Sequence, residues 1–376
     1  MKVAFLALAP FISGSERSLQ MILSNCDYAN IDAILIAPKN SPMHQWAADN
    51  EIKSYSCELE YISVLKHPIR WFVLQLKLFR ILKKEHIEVV HSNQLWSYSI
   101  VAKVARLLNI KRVCHFRDEI NESCNWWLTS GLELGICISK HIKKQLQQSV
   151  NPGVINRIEV IINPVKIDHA IPNDTLVSLR KNAKEIYNIS AYKMVFGYIG
   201  QIAPIKGVTE MLRVLARIEN EDWCLILAGD DPSPDKSYLK QCKQLVNELS
   251  LASKVHFLGF IEDVKTFYHA VDIVLVFSEQ EPLGRIPLEA GAFGIPCIAT
   301  SVGGLPETVI DGETGWLIPP EMSVNEKANF IDAIVKSDLT KAGSAARNWV
   351  EEIADPKAYI TKLSKLYNIT KKQMVS

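Results

Sequence analysis

The chain reads as an α/β protein made of two doubly wound domains that face a central cleft. Three observations predict this. At 376 residues the chain is long for a single domain, and its 48% hydrophobic content can fill two separate cores. Short apolar, β-branched runs alternate with amphipathic stretches in two successive series, the pattern of parallel strands covered by crossover helices. Several of the runs end in glycine-bearing turns that open a helix, as at the ligand-binding edge of such sheets.

Taken in order, Lys2–Ala9 is the first buried strand. It runs through Pro10 and Phe11 into Ser13-Gly14-Ser15-Glu16-Arg17 and then an amphipathic helix bearing Leu19, Ile22 and Leu23. The glycine allows a close backbone approach at the sheet's carboxyl edge, although a simple tight turn explains it as well. Further strands are expected at Ile31–Ile36, Ile87–His91, Arg112–Phe116, Gly135–Ile138 and Ile158–Ile162. His115-Phe116-Arg117-Asp118 leaves a strand at its carboxyl end. This makes His115 and Asp118 candidate contacts to a ligand at the sheet's carboxyl edge. The plain alternatives are a hydrogen-bonded strand-end histidine and an N-cap aspartate. His86 and His91 read as structural.

Between these strands lies PIRWFVLQLKLFRILKK, Pro68–Lys84. As a helix it places Arg70, Lys77, Arg80 and Lys84 on one stripe, with Trp71, Leu78, Phe79 and Leu82 opposite. Such a helix either lies on an anionic membrane surface or is a surface helix with an apolar core side and solvated charges. Basic residues mildly exceed acidic ones up to Arg180, which suits a peripheral contact. Trp126-Trp127, after Asn125, either extends such a surface or is buried.

Asp168–Ser190 reads as a connection plus a helix. A second strand series follows at Val195–Ile199, Cys224–Ala228, Lys254–Leu258, Ile273–Phe277 and Cys297–Ala299, and Ala345–Tyr367 as a helical tail. The expected division is residues 1–165, residues 166–350, and a C-terminal helix within 351–376 packing back toward the first domain. Lys206-Gly207 precedes a helix, where a lysine can neutralise a diphosphate. After Phe277 the chain turns and enters a helix near Leu283 or Gly284, with Pro287 tolerated in the first turn and Gly294 and Pro296 ending it. A free helix N-terminus suits a phosphate. Glu281 and Glu289 frame it. A bare pair at that spacing is most simply a cap and a solvated side chain.

Composition excludes several classes. Forty-two basic residues against 41 acidic give no reason for nucleic acid. The 8 cysteines form no C-x-x-C pair, and Cys114, Cys137, Cys224 and Cys297 lie in apolar strands, which fits a reducing compartment. Met1–Pro10 is too short and too uncharged for a signal peptide, and no apolar run is long enough to span a bilayer. The expectation is a cytoplasmic protein, with the basic helix as the candidate for any peripheral contact to the plasma membrane's inner face. No Asp-x-Asp occurs, so no metal clamp on a diphosphate and no cofactor is expected.

The stretch from Asp272 to Pro320 resembles the donor-binding region of family 4 glycosyltransferases of the GT-B fold. Their pattern is E-x-F/L-G-x-x-x-x-E-A-x-A-x-G-x-P-V-x-A-T-x-x-G-G-x-x-E, then x-x-G-x-x-G. This chain supplies Glu281, Leu283, Gly284, Glu289, Ala290, Gly294, Pro296, Ala299, Thr300, Gly303, Gly304, Glu307, Gly312 and Gly315. Within this pattern the two glutamates read as a ligand-binding pair. Elsewhere Gly14-Ser15 resembles the family's G-G-x-E-R loop, Asn163-Pro164-Val165 its domain-closing turn, and Gly259-Phe260 its base-contacting segment. Lys206-Gly207 matches its G-R-x-x-x-x-K-G, with Gln201 standing in the arginine's place.

The resemblance implies two Rossmann-like domains and a retaining transfer of sugar from a nucleotide diphosphate donor to a hydroxyl of a glycan or lipid-linked glycan. Lys206, Gln201 and the Leu283-Gly284 backbone would meet the diphosphate. Glu281 would orient the sugar, Glu289 hold the ribose, His115 contact the acceptor or the donor sugar, and Asp118 meet an acceptor hydroxyl. The basic helix points to capsule or O-antigen assembly. An inactive donor-binding partner, or an epimerase or phosphorylase on the same fold, is the rival reading.

Overall fold

The computed structural model describes residues 1–369 except 8, 10–11, 59–65, 121–130, 150–156 and 169–171; the expected roles of Trp126 and Trp127 fall outside them. The chain divides into two compact units. One holds Met1–Val165 with the chain from Ala354 onward, and the other holds Lys166–Ile353.

The first unit runs β1 (Lys2–Leu6), α1 (Gly14–Leu23), β2 (Asp32–Ala37), α2 (Met43–Asp49), β3 (Lys53–Ser56), α3 (Pro68–Lys84), β4 (Val89–Ser92), α4 (Leu95–Leu107), β5 (Lys111–Phe116), β6 (Leu134–Cys137), α5 (Lys140–Ser149) and β7 (Ile158–Val160). Its strands form one parallel sheet in the order β3-β2-β1-β4-β5-β6-β7. Alternation along β1 decides the layering. Val3 and Phe5 join a core with α1, while Ala4 and Leu6 join one with α3 and α4. In α3 the core face is Leu74, Leu78, Ile81 and Leu82. The solvent side carries Arg70, Lys77, Arg80, Lys83 and Lys84. It also carries Ile69, Phe72, Val73 and Leu76, which a buried stripe would not leave behind.

The second unit runs α6 (Asn173–Ile186), β8 (Met194–Ile199), α7 (Val208–Leu215), β9 (Trp223–Ala228), α8 (Ser237–Glu248), β10 (Val255–Gly259), α9 (Val264–Ala270), β11 (Ile273–Val276), α10 (Arg285–Ala292), β12 (Cys297–Thr300), β13 (Gly315–Ile318), α11 (Val324–Val335) and α12 (Leu339–Ile353). Its parallel sheet has the order β10-β9-β8-β11-β12-β13. Trp223, Leu225 and Leu227 of β9 enter one core, and Cys224, Ile226 and Ala228 the other.

The expected helical tail is broken. Asp355 caps a new helix, α13 (Pro356–Asn368), by accepting from the Ala358 N–H at 2.7 Å, with Pro356 in its first turn. α13 packs Tyr359, Ile360, Leu363, Leu366 and Tyr367 into the first unit's core. Two strands, β3 and β13, went unpredicted; each lies at a sheet edge.

Candidate active site

In both sheets the strand order reverses between the first and fourth strands of the series, β1 and β4 in one unit and β8 and β11 in the other. In open α/β sheets the crevice at the carboxyl ends of such a pair receives ligand. In the second unit the chains leaving β8 and β11 carry Lys206 and Glu281. The ammonium of Lys206 meets Glu281 Oε2 at 2.6 Å, and Ser278 Oγ adds a longer contact to the same oxygen at 3.4 Å.

Two glycines permit this pairing. Gly207 has φ 65° and closes the turn after Lys206; a Cβ there would lie 2.0 Å from the Phe277 carbonyl oxygen. The loop after β8 therefore presses directly on the one after β11, and the Glu279 N–H donates to Ile205 O at 2.9 Å. Gly303, φ 56°, packs beneath Glu281 so closely that a Cβ would sit 2.1 Å from the Glu281 carbonyl oxygen. The neighbouring Gly304 N–H donates to that oxygen at 2.8 Å. No L-residue with a side chain fits either place.

α10 begins at Arg285, with Gly284 as N-cap and no side chain capping it. Leu283 and Gly284 are buried, so what they offer a ligand is backbone. One turn on, Glu289 accepts from Arg285 through Nη2 at 2.7 Å and Nε at 3.2 Å, and from the Tyr268 hydroxyl at 3.3 Å. Both charged side chains are partly exposed. Arg285 is a site residue that the sequence reading missed; its i, i+4 spacing from Glu289 was the available signal.

Gln201 is exposed, and its carbonyl oxygen accepts from the Tyr198 hydroxyl at 2.5 Å. Gly259 ends β10 and accepts from the Gly229 N–H at 2.7 Å. Beside it Phe260 is 70% exposed, an aromatic face open to a flat ring. Gln201, Lys206, Gly259, Phe260, Glu281, Leu283, Gly284 and Glu289 thus lie on chain leaving the carboxyl ends of β8, β10 and β11 in one unit.

The first unit treats its predicted residues differently. Gly14 and Ser15 open α1 behind a capping box of Ser13 and Glu16. Ser15 Oγ donates to Glu16 at 2.9 Å and accepts from Gln94 Nε2 at 3.1 Å, so the serine ties the β1 exit to the β4 exit. His115 was expected to face a ligand. It is instead fully buried, its ring 5.5 Å from that of His91. Arg117 Nη2 donates to His115 Nδ1 at 3.0 Å. That imidazole is therefore neutral with its proton on Nε2, which finds no partner among the described residues. Burial first, then Arg117, depress its pKa.

Arg117, also missed as a site residue, donates to Asn93 Oδ1 at 3.0 Å and Asn163 Oδ1 at 2.6 Å. It thereby gathers three strand exits. Asp118 is exposed as a residue. Its carboxyl is nevertheless raised above the usual range by desolvation, with Arg117 opposing and Glu16 adding to the shift. Among the described residues no group of three His, Cys, Asp or Glu could hold a metal ion.

Residues 12–169 match the model of Glycosyltransferase Family 4, and residues 180–353 that of Glycosyl transferases group 1. The N-acetyl-α-D-glucosaminyl L-malate synthase of Bacillus anthracis is 25% identical over 317 residues, 81% of each chain. The D-inositol 3-phosphate glycosyltransferase of Mycobacterium marinum is 30% identical over 190 residues, 50% of this chain but 39% of that protein. Anabaena Alr3699/HepE, solved with UDP and glucose, matches at TM-score 0.83 and 21% identity, covering 98% of this chain and 100% of that one; the likeness is one of fold.

Proposed function

Because this chain belongs to the family 4 glycosyltransferases of the GT-B fold, we propose that it moves a sugar from a nucleotide diphosphate-sugar to an acceptor hydroxyl with retained configuration and without a metal ion. The observation that carries this reading is the Lys206–Glu281 pair at the switch point beside the open mouth of α10. Lys206 and the first N–H groups of α10 stabilise charge gathering on the departing diphosphate, a preorganised electrostatic contribution of the kind that dominates such reactions. Glu281 accepts from sugar hydroxyls and Glu289 from the ribose, while Gly259 and Phe260 border the base.

The bond from C1 to the phosphate oxygen breaks, and the acceptor oxygen bonds C1 on the same face. The acceptor's proton passes to the departing phosphate. Asp118 is the candidate partner for the acceptor hydroxyl. His115 acts as a positioning residue behind Arg117.

A thermal-shift screen against nucleotide-sugars without metal tests the donor. A ligand at a hundred times its Kd stabilises by about 2.7 kcal/mol, and Glu289→Ala should abolish the one clear hit. Lys206→Ala should lower transfer by about a hundredfold or more. Epimer or sugar phosphate formed from donor alone would replace transfer with the rival chemistry. Silence across the panel would favour an inactive partner.

The acceptor reading is a lipid-linked glycan in bacterial cell-surface polysaccharide assembly, at the inner face of the plasma membrane. It is supported by the solvent side of α3, where Ile69 (79% exposed), Phe72 (57%), Val73 (57%) and Leu76 (37%) lie beside Arg70, Lys77, Arg80, Lys83 and Lys84. Apolar side chains ringed by cations suit an anionic lipid surface. No helix among the described residues is long and apolar enough to cross a membrane. The relatives' names favour a second reading, a small polar acceptor such as malate or an inositol phosphate. Flotation with anionic vesicles separates the two. Wild type should float, and a variant with Arg70, Lys77, Arg80 and Lys84 changed to Gln should not; equal, negligible flotation would leave the small acceptor.

A further inference from the structure

The site contains two cations, and each is bound to a carboxylate that a donor would need. Lys206 is held by Glu281 at 2.6 Å and Arg285 by Glu289 at 2.7 Å. The four groups are neutral together, and the loop after β8 adds no charge beyond that of Lys206, since Gln201 there is an amide. The first turn of α10 lies against that same loop: a Cβ placed on Gly200 would meet Ile286 Cδ1 at 3.5 Å. Arg285 immediately precedes Ile286 and opens the helix.

Side chains at a helix start lean toward its N-terminus, so Arg285 can reach the mouth of α10 by a change of rotamer alone. Its guanidinium is a planar fork suited to two phosphate oxygens, which Gln201 cannot match and a lysine matches only as a point charge.

We propose that Arg285 supplies the diphosphate with the second cation that position 201 lacks, and that donor binding exchanges Arg285 from Glu289 to the phosphates. The exchange is coupled. When the anion takes Lys206 and Arg285, it frees Glu281 and Glu289 to accept hydrogen bonds from sugar and ribose hydroxyls. Without ligand the same four groups neutralise one another and leave no charge unpaired at the partly buried site. The inference rests on the donor reading above and names the residue that sets donor affinity in this chain.

The test uses the full chain and isothermal titration with uridine, guanosine and adenosine diphosphates, alongside the corresponding nucleosides. Arg285→Gln should weaken the diphosphate that binds wild type by about ten- to a hundredfold and leave its nucleoside unchanged. Adding Gln201→Arg to that variant should restore most of the affinity, because a guanidinium on the adjoining loop reaches the same phosphates. Unchanged melting temperatures without ligand show that both variants fold. Equal loss for nucleoside and diphosphate would assign Arg285 to holding Glu289 in place for the ribose and overturn the proposal, as would an Arg285→Gln variant that binds like wild type. Wild type that binds none of the three diphosphates would instead bring down the donor reading and this inference with it.

Discussion

His91 and His115 lie side by side without exposed surface, and burial holds both neutral, His91 with a pKa lowered to about 3. Unfolded, each takes up a proton near pH 6.5. Between that value and the folded pKa the unfolded chain binds more protons, so stability is fully present above pH 6.5 and is lost as pH falls. Each histidine contributes a slope of about 1.4 kcal/mol per pH unit. Denaturation of the first unit between pH 7.5 and 5 should show this fall, and His91→Phe should remove about half of it. At the same scale, Gly303→Ala sets a methyl against the Glu281 carbonyl at a left-handed φ. It should cost about 3 kcal/mol or more, because the clash adds to the backbone strain, and weaken donor binding, read by melting and titration together. The motif made Gly303 and Glu281 legible as parts of one ligand-binding stretch. That the glycine lies directly beneath the glutamate's backbone is a fact of packing.

Among the elements, the central strands were readable because they are mainly apolar runs buried on both faces. The unpredicted β3, Lys-Ser-Tyr-Ser, is polar because an edge strand packs little. β13 is a four-residue strand opening on a glycine. The tail was read as one helix because its apolar spacing continues across Asp355-Pro356. α13 is held at its far end by Lys111 of β5, whose ammonium donates to the carbonyl oxygens of Leu366, Tyr367 and Ile369 at 3.1, 2.8 and 2.7 Å. These are the orphan acceptors of a helix C-terminus. Lys111→Met should therefore destabilise the first unit by about 1.5–3 kcal/mol and speed amide exchange in α13 before other helices.

On the scale of the whole molecule, the first unit is assembled from both ends of the chain. Five side chains of α13 enter its core. At about 1.5–3 kcal/mol each their burial is comparable to the whole of a domain's usual net stability. A fragment of residues 1–165 should consequently fail to fold cooperatively, whereas residues 166–353, which contain their own sheet and cores, should melt as an independent unit. Calorimetry of the two fragments checks this, and a cooperative transition in 1–165 would refute it.

The α/β class, the two strand series, Lys206 and Glu281 just beyond strands and Glu289 in the helix that follows were legible along the chain. Those follow from local burial patterns and from spacing within the two loop–helix segments after β8 and β11. The pairing of Lys206 with Glu281 was not legible, because the two come from distant parts of the chain. Lys206 meets Glu281 from 75 positions away, Arg285 takes Glu289, His115 turns inward onto Arg117, and α3 keeps apolar residues on its solvent side. Periodicity reports whether a side chain is covered. Which group covers or pairs with it depends on which strand ends are brought together, and that is set by the order of strands in the sheet.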